Sequence, residues 1–422
     1  MSDRQLLKQG LFVRFLTSQL TSGMAIQMML IGLGWQVYLM TESALALGWV
    51  GLARYVPQII FTLHAGDVAD RYDRHKIMIW SRVLLLFTIG SLSYTSFTET
   101  ITEEIIYIAC FMLGVSRTFS MPAGQAMVPN LVPRQLLTQA MTLTASARES
   151  ITIIGPALGG VIYILGAGTL YATSMLFVLI SIVTLFGMKD TATKRDRSEQ
   201  RRRELFEGFV HVWRNKPVWG SMMLDTLAVL IGSVTALLPM IAHDILQTDS
   251  VGLGLLRSAP AAGAVAMSFL LAKYPIQRHS GRWLYASVWV FGLGTLVFGF
   301  SEVMWLSLTA LFVLGAADMI SVVIRSTLVQ VETPDEMRGR VSAVNSLFIA
   351  TSNQLGEFES GALAAWIGAV PSILFGGFGT LALVALWIPL YPTLWNRDHL
   401  VKPESEAEIT AERNKQGPKQ AP

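Results

Sequence analysis

Ten ionisable residues lie inside long apolar stretches of the chain, away from the ends of those stretches. They are Arg54, Arg117, Arg148, Glu149, Asp225, Arg257, Asp318, Arg325, Glu357 and Glu359. A charge in hydrocarbon costs at least about 2.5–3.5 kcal/mol on insertion scales, so each needs a partner or a water-filled cavity. The first half of the chain holds three arginines and one acid of this set, and the second half holds two arginines and four acids. The two halves therefore carry opposite charge in their apolar stretches.

These charges support two compatible interpretations. In the structural one, they pair across the halves and hold one conformation closed, with Arg117 and Asp318 at equivalent positions. In the functional one, Arg54, Arg117 and Arg148 form a basic pocket for an anionic or catechol-like molecule, because a guanidinium donates two parallel hydrogen bonds to planar oxygen groups. Burial favours the neutral form of a carboxyl, so an acid of the set would carry a proton. The candidates, in order, are Glu149, Asp225 and Asp318.

The composition is that of a membrane protein. Of the 422 residues, 52% are hydrophobic and 14% charged, whereas a soluble domain carries about 25% charge. The mean hydropathy is +0.49, and a net charge of +3 is too small to suggest a nucleic-acid partner. The single cysteine, Cys110, provides neither a disulfide framework nor a thiolate metal site. A phosphate-binding glycine loop and a metal-ligand cluster are also missing, so we expect no cofactor, no metal and no catalytic site.

Twelve stretches are long and apolar enough to cross a bilayer, which takes roughly 20 residues. They cover residues 14–40, 44–65, 77–97, 105–128, 137–165, 168–188, 217–243, 251–273, 283–300, 304–331, 339–366 and 371–391. Lys and Arg occupy alternate loops, while the other loops carry acids only. The positive-inside rule then predicts that both termini are cytoplasmic.

The spans fall into two sets of six. We predict an N-terminal bundle over 1–190, a cytoplasmic linker over 191–216, a C-terminal bundle over 217–396 and a disordered cytoplasmic tail over 397–422. The linker has apolar residues on one helical face, and we favour a solvated linker with a short helix over a helix along the membrane surface. The sequence GLARYVP at 51–57 returns as GLLRSAP at 254–260. Such parallel repeats are related by an axis along the membrane normal.

Two short motifs carry a resemblance to a known family. The segment GDVADRYDRHK, residues 66–76, matches the pattern G-x-[LV]-a-D-R-x-x-R at Gly66, Asp70, Arg71 and Arg74, and we predict a loop there. The segment GPALGG in the fifth span matches the core of an exporter motif at Gly155, Pro156, Gly159 and Gly160. With its twelve spans and its repeat, the chain resembles the major facilitator superfamily up to about Arg397, and within it the branch of enterobactin (siderophore) exporters.

The resemblance implies an all-α membrane protein with the major facilitator fold, in which two six-helix halves are related by a pseudo-twofold axis along the membrane normal. It implies a monomer in a bacterial inner membrane that exports a siderophore or a similar amphipathic small molecule by alternating access, in exchange for protons. The motif residues would then act in gating. Trp35 and Tyr38, on the outer part of the first span, are candidates for lining the cavity instead of anchoring the helix at the interface. The alternatives are an efflux pump for lipophilic cations and, ranked lower, an importer or sensor of the same fold.

Overall fold

The structure is a computed structural model that describes residues 6, 8–188 and 198–400. Six long helices form the first half. They are α1 (Gly10–Thr41), α2 (Ala44–Arg71), α3 (Arg74–Phe97), α4 (Glu103–Leu131), α5 (Leu137–Tyr163) and α6 (Ala167–Leu185). Helix α1 packs against α5 and α6, and α3 and α4 complete the bundle with α2.

The second half repeats this plan after a connecting helix, α7 (Ser198–Arg214). Its six long segments are α8 (Lys216–Ile231), α9 (Ser250–Lys273), α10 (Ser280–Gly299), α11 (Met304–Val331), α12 (Arg338–Ile367) and α13 (Ala369–Leu390), and a single turn, α14 (Pro392–Trp395), follows them. Helix α8 continues as a broken extension, which ends in a π-helical turn, Ile241–Ile245. All the regular elements in the described ranges are helical.

Each predicted span coincides with one long helix or, for the seventh span, with α8 and its extension. Within the described residues, nine of these helices are long and apolar enough to cross a membrane. The three long helices that do not meet this criterion of length and apolar composition are α5, α10 and α12. Helices α5 and α12 contain Arg148, Glu149, Glu357 and Glu359 in their middle turns. These charged residues lower the mean hydropathy of α5 and α12, which face the interior of the protein.

The prediction of a loop over residues 66–76 is wrong, because most of this segment is helical. Helix α2 runs on to Arg71 and α3 begins at Arg74, so only Tyr72 and Asp73 lie outside helices. The Asp73 carboxylate accepts hydrogen bonds from the backbone N–H groups of His75 and Lys76, at 3.0 and 3.4 Å. A side chain that caps a helix start in this way allows an abrupt turn between two helices. Most of the charged residues of this segment therefore lie in the last turn of α2 and the first turn of α3, and only a two-residue connection separates these helices.

The two ends of the bundle differ in charge. At the acidic end, the connections and helix ends hold Glu42, Glu99, Asp244, Asp249 and Glu302, and no Lys or Arg. At the basic end lie residues 71–76, 134, 278–282, 338–340 and 397, which include most of the described arginines outside the helix middles.

Helix α7 packs on the second half at the basic end. Glu207 forms an ion pair of 2.5 Å with Arg340, and the ring centroids of Trp213 and Trp219 lie 4.6 Å apart. Val212 is fully buried. One side of α7 therefore packs on the second bundle, while Phe206 and Trp213 are 69% and 59% exposed. Residues 189–197 lie outside the described residues.

The chain after α14 also docks at the basic end. Arg397 pairs with Glu332 at 2.7 Å, and the Asp398 carboxylate accepts a hydrogen bond of 2.8 Å from the His279 backbone N–H. This hydrogen bond lowers the pKa of the Asp398 carboxyl. The predicted tail begins at residue 397, so its first four residues pack on the bundle, and residues 401–422 lie outside the described part.

Candidate functional site

The two halves meet at the acidic end through small residues. Helix α2 packs on α12, where a Cβ on Gly361 would lie 2.8 Å from both the Ala44 carbonyl oxygen and the Gly48 Cα. Helix α5 packs on α9, where the Ser250 hydroxyl donates to the Gly160 carbonyl oxygen at 2.8 Å. The Ser258 hydroxyl likewise donates to the backbone of α5 at 2.7 Å. These contacts close the space between the halves at this end.

An aromatic contact completes the closure. The rings of Trp35 and Tyr38 each form a T-shaped contact with the His243 ring, and the centroid distance is 5.9 Å in both pairs. The Tyr38 hydroxyl donates a hydrogen bond to the Asp244 carboxylate in the extension of α8. Trp35 and Tyr38 are 6% and 2% exposed. In this conformation they belong to the closed contact, and a role for them in lining the cavity stays a prediction.

Polar side chains of α5 and α12 are exposed toward the basic end. Along α5, Thr142, Ser146, Arg148 and Glu149 are exposed. On the equivalent helix of the second half, α12, Ser342, Ser346 and Asn353 are exposed. Exposed charged side chains in the middle of a bilayer helix need water around them. We therefore infer a cleft between the halves that opens at the basic end.

An arginine cluster lies where the cleft meets the closed contact. The Arg54 guanidinium forms an ion pair of 2.5 Å with Glu357 on α12, and their side chains are 10% and 14% exposed. It also donates to the Gln354 side-chain oxygen at 3.4 Å. Arg117 lies within electrostatic range of Arg54, Arg148 and Glu357. Arg257 is within electrostatic range of the Arg54–Glu357 pair.

The cluster, defined as Arg54, Arg117, Arg148, Arg257 and Glu357, is therefore rich in positive charge. Arg54 contacts Glu357 directly, and Arg117 and Arg257 lie within electrostatic range of both. The five residues carry a formal charge of 4 − 1 = +3. Arg117 and Arg148 are exposed to the cleft, whereas Arg54 and Arg257 are partly buried. A planar guanidinium binds carboxylate or catecholate oxygens through two hydrogen bonds. The arrangement is suited to an anion that enters through the cleft.

The remaining charges form a separate cluster inside the second half. Arg325 pairs with Asp225 at 2.8 Å, and the Ser321 hydroxyl donates to the same carboxylate at 3.0 Å. Asp318 lies within electrostatic range of both charges. The predicted pair of Arg117 and Asp318 does not form, because each side chain lies in a different cluster with nearer charges.

Sequence reasoning missed one buried cation in the first half. The Arg82 side chain is 5% exposed and donates to the Gln19 side-chain oxygen at 2.8 Å, between α3 and α1. The signal was present, since Arg82 lies inside the predicted span 77–97. Gln19 gives no such signal, because neutral amides are common on many kinds of helix faces.

The motif residues occupy packing positions. A Cβ on Gly155 would lie 2.5 Å from the Gln27 Cβ, and one on Gly159 would lie 2.9 Å from the Met28 Cα. These glycines thus bring α5 close to α1, while Pro156 lies in α5 and Gly160 meets α9. Small residues permit such close approach of membrane helices.

The other motif lies at the basic end. Gly66, Asp70 and Arg71 form part of the last turns of α2. The Arg74 guanidinium donates to the carbonyl oxygens of Ala69 and Ala126, at 3.4 and 3.1 Å. The motif thereby ties the end of α2 to α4. A gating role for these residues stays a prediction.

Comparison with known proteins agrees with this architecture. The family model described as "Transmembrane secretion effector" matches residues 3–413. Macrolide efflux protein A of Streptococcus pyogenes is 22% identical over 346 residues, which cover 80% of this chain and 85% of that protein. The enterobactin exporter of Escherichia coli O1:K1 / APEC is 24% identical over 352 residues, 83% of this chain and 84% of that protein.

Solved transporters share the fold. The nucleoside transporter NupG superposes with a TM-score of 0.68 at 14% identity, over 90% of this chain and 99% of that chain. A bacterial homologue of the iron transporter ferroportin, in an inward-facing state, gives 0.69 at 14% identity, over 92% and 99%. The fold is therefore the predicted major facilitator fold. The family model and the two relatives show that the protein is a multi-pass membrane transporter and not an enzyme. Because the family model spans nearly all of it, the chain belongs to the transmembrane secretion effector family of major facilitator transporters.

Proposed function

We propose that the protein exports an amphipathic anion, a siderophore or a similar small molecule, in exchange for protons. It would work as a monomer in a bacterial inner membrane, with the basic end and both termini in the cytoplasm. The conformation described here is then inward-facing. The observation that carries the proposal is the arginine cluster at the closed end of the cleft, in which one carboxylate, Glu357, pairs with Arg54.

The cluster suggests how cargo binding leads to opening. An anion entering from the cytoplasm meets Arg117 and Arg148, the exposed members. Deeper in the cleft it competes with Glu357 for Arg54. The Arg54–Glu357 pair joins α2 to α12, so its loss weakens the contact that keeps the acidic end closed. A ligand shifts a conformational equilibrium only through such differential contacts.

The relatives support export but differ in their cargo. An enterobactin exporter favours a siderophore, and its 24% identity spans most of both chains. A macrolide efflux protein matches over a similar length and favours the second candidate, drug efflux. The excess of arginine in the cluster favours the anionic cargo, because a cationic drug would meet like charge there.

Everted membrane vesicles test the function directly. We expect an imposed proton gradient to drive uptake of a catecholate siderophore, and a protonophore to abolish it. The double variant Arg117→Ala/Arg148→Ala should lose uptake, whereas Arg134→Ala, which removes an arginine of the basic end outside the cluster, should retain it. Gradient-driven uptake of a macrolide or a lipophilic cation, with none of the siderophore, would replace this proposal with the second candidate.

Replacing Glu357 by glutamine should strengthen cargo binding and slow transport. The change frees Arg54 from its competing carboxylate, and a hydrogen bond to a charged group contributes about 1.5–3 kcal/mol, so we expect affinity to rise roughly tenfold or more. The same change removes the link between the halves, so net turnover should fall. Isothermal titration of the purified protein with a catecholate siderophore measures the first effect.

The matched control is Glu359→Gln, two residues further along α12, because Glu359 forms no ion pair within the described residues. Its affinity should stay at the wild-type value. Equal affinities of Glu357→Gln and wild type would show that Glu357 does not compete with the cargo.

A further inference from the structure

A second polar site lies between helices of the C-terminal half. A cavity of about 10 Å³ separates α8, α10 and α11, and its polar lining consists of Asp225, Ser287, Asp318 and Ser321. This is about the space that one water molecule needs. Apolar side chains, among them Phe291, complete the lining.

The two carboxylates of this cavity have unequal surroundings. Asp225 is 5% exposed and has Arg325, 2% exposed, as its ion-pair partner. It also accepts a hydrogen bond from Ser321. Asp318 lines the same cavity but forms no hydrogen bond or ion pair within residues 8–188 and 198–400. One guanidinium therefore serves two carboxylates, and Asp318 is the one without a direct partner.

The helices around α11 bring no further cation to Asp318. Arg257 on α9 interacts electrostatically with Glu357 and Arg54, which belong to the arginine cluster. Helix α10 contributes Ser287 to the cavity, and its Arg282 lies at the basic end. Helix α12 carries Glu357, which is held in the arginine cluster. With both carboxylates ionised, the site has a formal charge of 1 − 2 = −1.

We propose that Asp318 binds the coupled proton and that the Asp225–Arg325 pair positions it, as a fixed counter-charge that stays paired throughout. This inference rests on the proposed proton-driven export. A proton from water adds to a carboxylate oxygen of Asp318 and makes the site neutral. The proton later returns to water on the other side of the membrane, so one proton crosses per cycle and no bond other than O–H changes.

Proton and cargo then occupy different sites, and they do not compete for one group. The cargo site joins the two halves, whereas the proton site lies wholly between helices of the second half. Helix α8 links the proton site to the closed acidic end, because it carries Asp225 and continues into the extension whose Asp244 accepts the hydrogen bond from Tyr38. Neutralising Asp318 changes the packing of α8 against α11 and so acts on the closed acidic end.

Infrared difference spectroscopy of the purified protein in lipid nanodiscs tests the site without requiring transport. A pH step from about 6 to about 9, above the range in which ordinary carboxyls titrate, should remove the C=O stretching band of a protonated carboxylic acid in the wild type. Asp318→Asn should lack this band, and Asp318→Glu should restore it at a shifted frequency. Glu359→Gln is the matched control and should keep it. Size-exclusion chromatography identifies any variant that fails to fold.

Transport assays supply the second readout. In proteoliposomes, Asp318→Asn should lose proton-driven accumulation of a catecholate siderophore but keep binding and gradient-free exchange of that siderophore. A titrating band that persists in Asp318→Asn and disappears in Glu149→Gln would overturn the assignment, as would intact proton-driven accumulation in Asp318→Asn. If the wild type moves no siderophore, the proposed function fails, whereas the infrared result still decides whether Asp318 takes up a proton.

Discussion

Replacement of Arg325 by methionine is expected to destabilise the protein by about 3–5 kcal/mol, because it leaves Asp225 buried without its partner. The two side chains are 2% and 7% exposed and 2.8 Å apart. Thermal unfolding of the purified transporter in detergent measures the effect. Arg338→Met provides a matched control, since Arg338 and Asp335 are also close, at 2.9 Å, but are 53% and 79% exposed. An exposed pair contributes only about 0–1 kcal/mol.

The double variant Asp225→Asn/Arg325→Met separates the ion pair from simple packing loss. The double change removes the unpaired carboxylate of Asp225 and leaves Asp318 as the one carboxyl of the cavity, which stays neutral when it binds a proton. Most of the lost stability should therefore return. A double variant as unstable as the single one would mean that Arg325 acts mainly through the volume that it fills.

Substitution of Gly361 by alanine is expected to open the acidic end. The added Cβ would lie 2.8 Å from backbone atoms of Ala44 and Gly48, which cannot rotate away as a side chain can. Overpacking of this kind costs about 1–3 kcal/mol, which changes a two-state ratio roughly five- to 150-fold. Spin labels at Thr98 and Glu302, exposed positions on the two halves at the acidic end, should report longer distances.

Gly339→Ala is the matched control, because Gly339 lies on the same helix and a Cβ there would meet nothing within 4 Å. The label distances should match those of the wild type, and the better helix propensity of alanine should leave stability equal or higher. Unchanged distances in Gly361→Ala would show that the α2–α12 contact does not hold the acidic end closed.

The sequence was sufficient for the spans and for the repeat, since both depend on residue type and order alone. It could also mark Arg54, Arg117 and Arg148 as unusual, because an arginine in an apolar stretch stands out. The partner of Arg54 could not be predicted from the sequence. Glu357 is 303 positions away, and only the packing of α2 on α12 brings the two together.

Partner assignment failed for Arg117 and Asp318 for the same reason. Equivalent places in a repeat show that two residues have similar surroundings in their own halves, and they do not show that the residues touch. Asp318 lies near Asp225 and Arg325 of its own half. The loop predicted at 66–76 fails because charged residues do not require a loop and can also continue a helix beyond the membrane.

Helix α7 offers a practical way to follow the working cycle. Its ion pair with Arg340 and its ring contacts with Trp219 and Phe348 fix it to the second bundle. We therefore expect α7 to move together with that bundle. None of its described residues belongs to the arginine cluster or lines the cavity beside Asp318. Phe206 points outward there and is 69% exposed. A fluorophore at this position would track rotation of one bundle against a dye on the other without touching either binding site.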